Sequence, residues 1–162
     1  MEKFSKRTYN SISEFINDIK FIFKNRSKIK ALDNGQLINK EFQERLMLAV
    51  TAVNGCRYCS YYHTKIALEV GISSQELAQL LDGSLMNSPE EEKIALLYAQ
   101  HWAEQSGYPE QDFIKKLAKT YEKKQVDAIN LAIRTINFGN LMGNTFDYFL
   151  YKISFGHLGT SQ

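Results

Sequence analysis

Apolar residues recur along this chain at spacings of three and four, and no stretch alternates as a strand would. Ile12, Phe15, Ile16, Ile19 and Phe23 form the first stripe, which predicts a helix from Ser11 to about Lys30. Ala31 to Asn39, with Gly35 inside it, reads as a connector. Phe42 to Val53 is a second apolar helical run, and it stops at Asn54-Gly55. Glycine there enters the left-handed conformation that ends a helix without a steric penalty. A third helix is expected from Cys56 to Val70, closed by Gly71. So short a turn makes these two helices antiparallel neighbours.

Ser73-x-x-Glu76 reads as a capping box for a short helix, Gln75 to Leu81, which Asp82-Gly83 ends. Ser88-Pro89-Glu90-Glu91 is a stronger start signal, with a cap residue, a first-turn proline and acids against the helix dipole. That helix should reach about Gln105, and another should occupy Glu110 to Tyr121. A last periodic run from Lys123 to about Leu150 contains Gly139 and Gly143, which suit close helix approach or a bend. The fold class is all-α, a single compact helical domain of about six to seven helices with the cysteine pair at a helix N-terminus. Its 162 residues suffice for one core. It divides into an N-terminal helix (1–34), a core (35–144) and a tail (145–162).

Composition changes this picture little, at 44% hydrophobic and 23% charged residues. A net charge of +2, with no nucleic-acid motif, gives no reason to expect a nucleic-acid partner. Residues 1–34 carry eight Lys/Arg against four acids, which reads as a solvated helix face rather than an anion or membrane site. No apolar run is long enough to span a bilayer, and MEKFSKRTYNS lacks the apolar core of a signal peptide. The expectation is therefore a cytoplasmic protein with no membrane partner, in a compartment that keeps thiols reduced. A bridge between Cys56 and Cys59 closes a minimal loop worth at most about 2 kcal/mol. A redox or metal role suits the pair better than a structural one.

Candidate chemistry converges on ERLMLAVTAVNGCRYCSYYH, residues 44–63. Cys56, Cys59 and His63 sit at i, i+3 and i+7 on one helical face. At roughly 1.5 Å per residue, Glu44 lies about 16 Å below the turn and His63 about 12 Å, which brings carboxylate and imidazole nearly level. Three readings of the C-x-x-C pair compete. A thioredoxin-like domain would place it after a strand, whereas here it follows a helix. Zinc could draw on Cys56, Cys59, His63 and Glu44, but structural sites usually use four Cys or His ligands, and this chain has two cysteines. Dithiol redox chemistry fits a helix N-terminus, where C-x-x-C thiols fall from about 8.5 to 7 or below. The helix dipole and Arg57 would assist; His63 would accept the Cys59 proton, and Glu44 would orient that imidazole.

AVNGCRYCSYYHTKIALEVGISSQELAQL resembles the alkylhydroperoxidase D-like, or carboxymuconolactone decarboxylase, family. The E-x11-C-x2-C-x3-H pattern matches its redox branch at every spacing. The flanks GQLINKEFQERLMLAV and SPEEEKIALLYAQHWAEQSG, continuing through FIKKLAKTYEKKQVDAINLAIRTINFGN, extend the likeness over roughly Ala31 to Asn144. The resemblance implies an all-helical subunit assembling into trimers or hexamers, with Glu44, Cys56, Cys59 and His63 in the active-site roles. It implies a thiol-dependent peroxidase or disulfide oxidoreductase of antioxidant type. Cys59, nearer His63 and more enclosed, would be the peroxidatic thiolate. Cys56, at an exposed helix start, would form the disulfide and receive an external dithiol, lipoyl-bearing or thioredoxin-like. No motif implies a metal, flavin or nucleotide cofactor.

The decarboxylase branch lacks the cysteine pair, which makes lyase action the poorer analogy. A helical binding or assembly module with a vestigial dithiol is the other alternative. Tyr58 stands where some redox members carry a second histidine, and a phenol with an ordinary pKa near 10 does not shuttle protons at neutral pH. His101 reads as a surface or packing histidine, and His157 is assigned nothing. Tyr58, Tyr61 and Tyr62 read as helix packing or pocket wall. Asn137, Asn140 and Asn144, poor interior helix formers, point to buried hydrogen bonding or a subunit contact.

Overall fold

The computed structural model describes residues 4–159, which form seven helices and, among the described residues, no strand. They are α1 (Ile12–Asp33), α2 (Lys40–Asn54), α3 (Arg57–Glu69), α4 (Ser74–Leu81), α5 (Lys93–Glu104), α6 (Gln111–Thr120) and α7 (Lys123–Ile153). The all-α expectation holds, with the cysteine pair opening α3.

α2 is the axis of the fold. Ten of its fifteen residues are buried, and α3, α4, α5 and α7 all pack against it. Asn39 starts it, its side chain accepting the Phe42 N–H at 2.7 Å, a cap that the apolar pattern had placed inside the connector. Gly55 stops it in the left-handed region (φ 69°), with its N–H bonded to the Thr51 carbonyl at 2.8 Å. Leu46, Met47, Ala49 and Val50 join α5 and α7 residues in the main core. Leu48 points the other way, into a smaller cluster with Ala67, Ile72, Leu77 and Leu80 beneath α3 and α4.

Three local expectations need correction. α1 runs on to Asp33, because fully buried Leu32 draws the chain into the core before Asn34-Gly35 ends the helix. The Ser88-Pro89 signal opens turns rather than a helix, and α5 begins only at Lys93. Ser88 is buried, and its hydroxyl makes no hydrogen bond among the described residues, so it caps nothing. Glu92 instead gives its carboxylate to Arg45 of α2 at 3.2 Å, and Arg45 also holds Glu76 of α4 at 2.7 Å. That bond leaves the Ser73 capping box half-made: Ser73 accepts the Glu76 N–H, while the Glu76 carboxylate faces Arg45.

The third correction is on α7. A Cβ built on Gly139 meets nothing within 4 Å, so no helix approaches closely there; at Gly143 it would stand 3.0 Å from Cys56 Sγ. The asparagines of α7 make buried hydrogen bonds. Asn140 accepts from the Thr51 hydroxyl, Asn137 accepts from Asn54 Nδ2, and Asn144 donates to the Asn54 carbonyl at 2.7 Å. All three therefore tie α7 to the end of α2.

Ahead of α1, residues 4–10 lie along the second half of α7. The Tyr9 N–H donates to Thr145, Asn144 donates to the Arg7 carbonyl, and Phe4 packs its ring against Tyr148 and Tyr151. α7 continues through residue 145 to Ile153 without a break. No described helix is long and apolar enough to cross a membrane.

Candidate active site

The α2–α3 hairpin assembles the site. Glu44 is 1% exposed on the inner face of α2, and its Oε2 lies 2.7 Å from Nδ1 of His63 on α3. Lys40, one turn earlier, brings its ammonium to 3.8 Å from Glu44 Oε1. A buried carboxylate is costly unless it is paired, and these two contacts supply the pairing. Nδ1 engaged by a carboxylate leaves Nε2 as the nitrogen open to proton transfer.

Cys56 is the N-cap of α3, with extended backbone (φ −80°, ψ 104°), and its Sγ accepts the Cys59 N–H at 3.3 Å. The two cysteines are joined in a disulfide with Cα atoms 5.4 Å apart. A cavity of about 590 Å³ opens beside them. Glu44, His63 and Cys59 line it together, with Tyr58, Tyr62, Met47, Ile66 and Ile136 as its less polar wall. Gly139 lies at its edge, so its missing side chain serves the cavity rather than helix packing. The carboxylate and imidazole expected to come level do meet, and the Cys59 sulfur lines the same cavity.

The sulfurs are arranged the other way round from the expectation. Cys56, predicted to be exposed, is 1% exposed and absent from the cavity wall, while Cys59 is partly buried and lines the cavity. Cys56 itself is closed to solvent because α7 passes over it at Gly143, although its neighbours Gly55, Arg57 and Tyr58 are exposed.

Asp147 of α7 completes this end of the site, and the sequence reading missed it. It is fully buried and accepts from Lys6 Nζ at 2.9 Å, from Arg57 at 2.8 Å and from the Tyr58 hydroxyl at 2.8 Å. Burial pushes its carboxyl up, but the Lys6 and Tyr58 hydrogen bonds and the Lys6 and Arg57 charges outweigh that and hold it below the usual carboxylate range. The residues between the two cysteines are thus both anchored to one carboxylate. Arg57, expected to favour a thiolate, shares its charge with Asp147. The only signal in the sequence was an acid inside an otherwise apolar and aromatic stretch, ninety residues from the motif.

The other candidates fall outside the site. His101 stacks on Phe113 at 3.8 Å, and its Nε2 accepts the Glu110 N–H, which makes it a packing histidine. Tyr61 is exposed and away from the cavity, whereas Tyr58 and Tyr62 are wall residues. Among the described residues, no group of three or more His, Cys, Asp or Glu side chains is placed to hold a metal ion.

Compared with known families, residues 26–100 match the model of the carboxymuconolactone decarboxylase family. The match takes in Glu44, Cys56, Cys59 and His63 and ends short of the later flank to Asn144 that the resemblance had included. Asp147 and residues 4–10 also lie beyond it. No curated protein matches the sequence significantly. The helical segment that carries the whole Glu44–His63 hairpin is thus similar to the carboxymuconolactone decarboxylase family.

Proposed function

We propose that this chain is a thiol-dependent peroxidase, or disulfide oxidoreductase, that cycles Cys56 and Cys59 between dithiol and disulfide. One observation carries the reading: the bonded pair has one sulfur, Cys59, in the same cavity as an imidazole fixed by a buried carboxylate. His63, with Nδ1 held by Glu44, takes the Cys59 proton at Nε2. The thiolate attacks the peroxide O–O bond, becoming a sulfenic acid as the alcohol or water departs. The Cys56 thiolate then attacks Cys59 Sγ and expels water, closing the disulfide. An external dithiol returns the pair to its reduced form and is itself oxidised. The cycle needs no metal, flavin or nucleotide, and the family resemblance supports a homo-oligomeric assembly.

The test is consumption of hydrogen peroxide and of an organic hydroperoxide by the reduced chain, with dihydrolipoamide or a thioredoxin as donor. Turnover that disappears in Cys59→Ser is the expected result. Two unreactive thiols with no turnover would favour a helical binding module. Decarboxylation of a lactone acid that persists in a Cys56→Ser/Cys59→Ser chain would favour the lyase reading.

A further inference from the structure

We infer that residues 4–10, clasped to α7 through the Lys6–Asp147 ion pair over the Cys56 end of α3, close Cys56 to outside thiols and make Cys59 the sulfur at which the reducing dithiol exchanges. This rests on the dithiol cycle proposed above and concerns its reductive half. The clasp lies outside the residues that match the family, so it is argued from this chain alone.

One contact touches Cys56 itself, and two hold residues 4–10 beside it. α7 passes over it at Gly143, where even a methyl group would stand 3.0 Å from Sγ. Lys6 runs its stem beside the exposed Gly55, with Cγ 3.6 Å from where a Cβ would be, and ends on Asp147. Asn144 donates both to the Asn54 carbonyl and to the Arg7 carbonyl, joining the clasp to the helix end just before Cys56. Lys6 has only 3% of its side chain exposed and Asp147 none, so the ion pair is buried rather than a surface contact. Cys59, three residues on, faces the cavity.

The chemistry of exchange agrees with this geometry. A thiolate must approach the attacked sulfur, whereas the leaving sulfur needs only to have its charge stabilised. When an incoming thiolate attacks Cys59 Sγ, the S–S bond breaks and Cys56 Sγ leaves with the electron pair. Cys56 already accepts the Cys59 N–H at the N-terminus of α3, where a negative charge is favoured. The second thiolate of the reductant then attacks the reductant sulfur of the mixed disulfide and releases Cys59. The reductant ends as a disulfide, and the enzyme pair ends as a dithiol with two protons gained. Lys6 and Asp147 are positioning residues in this scheme.

Trypsin cleaves after Arg57 and Lys65, so the two cysteines leave on separate peptides, 46–57 and 58–65. The oxidised full-length chain, treated briefly with glutathione and quenched in acid, should carry the adduct on 58–65 in roughly tenfold or greater excess. An adduct mainly on 46–57 overturns the inference. In a Cys59→Ser background, Lys6→Met or Thr145→Val should each raise iodoacetamide labelling of Cys56 roughly tenfold, while Lys6→Arg should keep it low. Labelling already fast in Cys59→Ser alone, or unchanged by both openings, also overturns it. None of these measurements contains peroxide. A chain that exchanges at Cys59 but consumes no peroxide would refute the peroxidase reading and leave this one standing.

Discussion

The Glu44 carboxylate and the His63 imidazole meet at 2.7 Å across a turn in which only Gly55 and Cys56 separate the two helices. That contact sets the ring's orientation and frees Nε2 for proton transfer. His63→Ala should therefore slow oxidation of Cys59 by about 10²–10⁴-fold, the range for losing a positioned base. Glu44→Gln should cost less, because it acts through the imidazole. Stopped-flow oxidation of the reduced variants checks both values, and equal losses would mean the carboxylate acts directly.

Cys59→Ser should abolish peroxide consumption, since the cavity then holds no thiol. Cys56→Ser should allow one turnover and leave Cys59 as a sulfenic acid that dimedone labels. Mass spectrometry of the labelled chain reads the outcome. Label in Cys59→Ser but not in Cys56→Ser would make the enclosed Cys56 the peroxidatic residue.

The glycines of α7 predict opposite responses to one added methyl group. Gly139→Ala meets open space inside a helix and should stabilise the fold by about 0.5–1 kcal/mol. Gly143→Ala gains the same helix propensity but presses on Cys56 Sγ, and overpacking of that kind costs about 1–3 kcal/mol. Thermal denaturation of the two oxidised variants should move in opposite directions.

Asp147 makes stability depend on acid in a definite sense. Its folded pKa lies below the ordinary 3.8, so the unfolded chain takes the proton first. The contribution of its pairing is complete above about pH 3.8 and is lost as pH falls through the lower folded value. At neutral pH Asp147→Asn should cost about 3–5 kcal/mol, because Lys6 stays buried without its counter-charge. The difference between wild type and Asp147→Asn in denaturant melts should shrink below that pH.

Self-association is the remaining expectation. Phe146 and Phe149 are 56% and 58% exposed beside Ile12 and Met142, around an apolar groove of about 620 Å³ that no thiol, imidazole or carboxylate lines. A second copy covering this face should bury more than about 1,000 Å². Sedimentation at micromolar concentration should show an oligomer, and Phe149→Glu should shift it toward monomer.

What the sequence disclosed followed from local periodicity. The i, i+3, i+7 spacing and the Asn54-Gly55 stop placed Glu44 against His63, because a tight hairpin leaves little freedom in register. Ser88-Pro89-Glu90-Glu91 misled for a tertiary reason: Arg45 claims Glu92, and a cap worth about 1 kcal/mol yields to a buried ion network. The burial of Cys56 was hidden for a similar reason. It depends on α7 at Gly143, far from it in sequence, and a helix start looks exposed until another helix crosses it. Lys6 and Asp147 stand 141 residues apart, and nothing in either neighbourhood announces the other.

Glu44 is mounted on the most enclosed helix of the fold, whereas Ala67 is the only buried residue within α3. Amide hydrogens of α2 should then exchange only through global unfolding, while those of α3 exchange through smaller openings. Opening the Cys56–Cys59 bond lets the two sulfurs move apart, and any adjustment falls on Cys56 and the first turn of α3. The yielding helix carries both sulfurs, and the acid that orients His63 belongs to the one that does not yield. Deuterium uptake compared between oxidised and reduced chains should change along α3 and residues 4–10, and leave α2 silent.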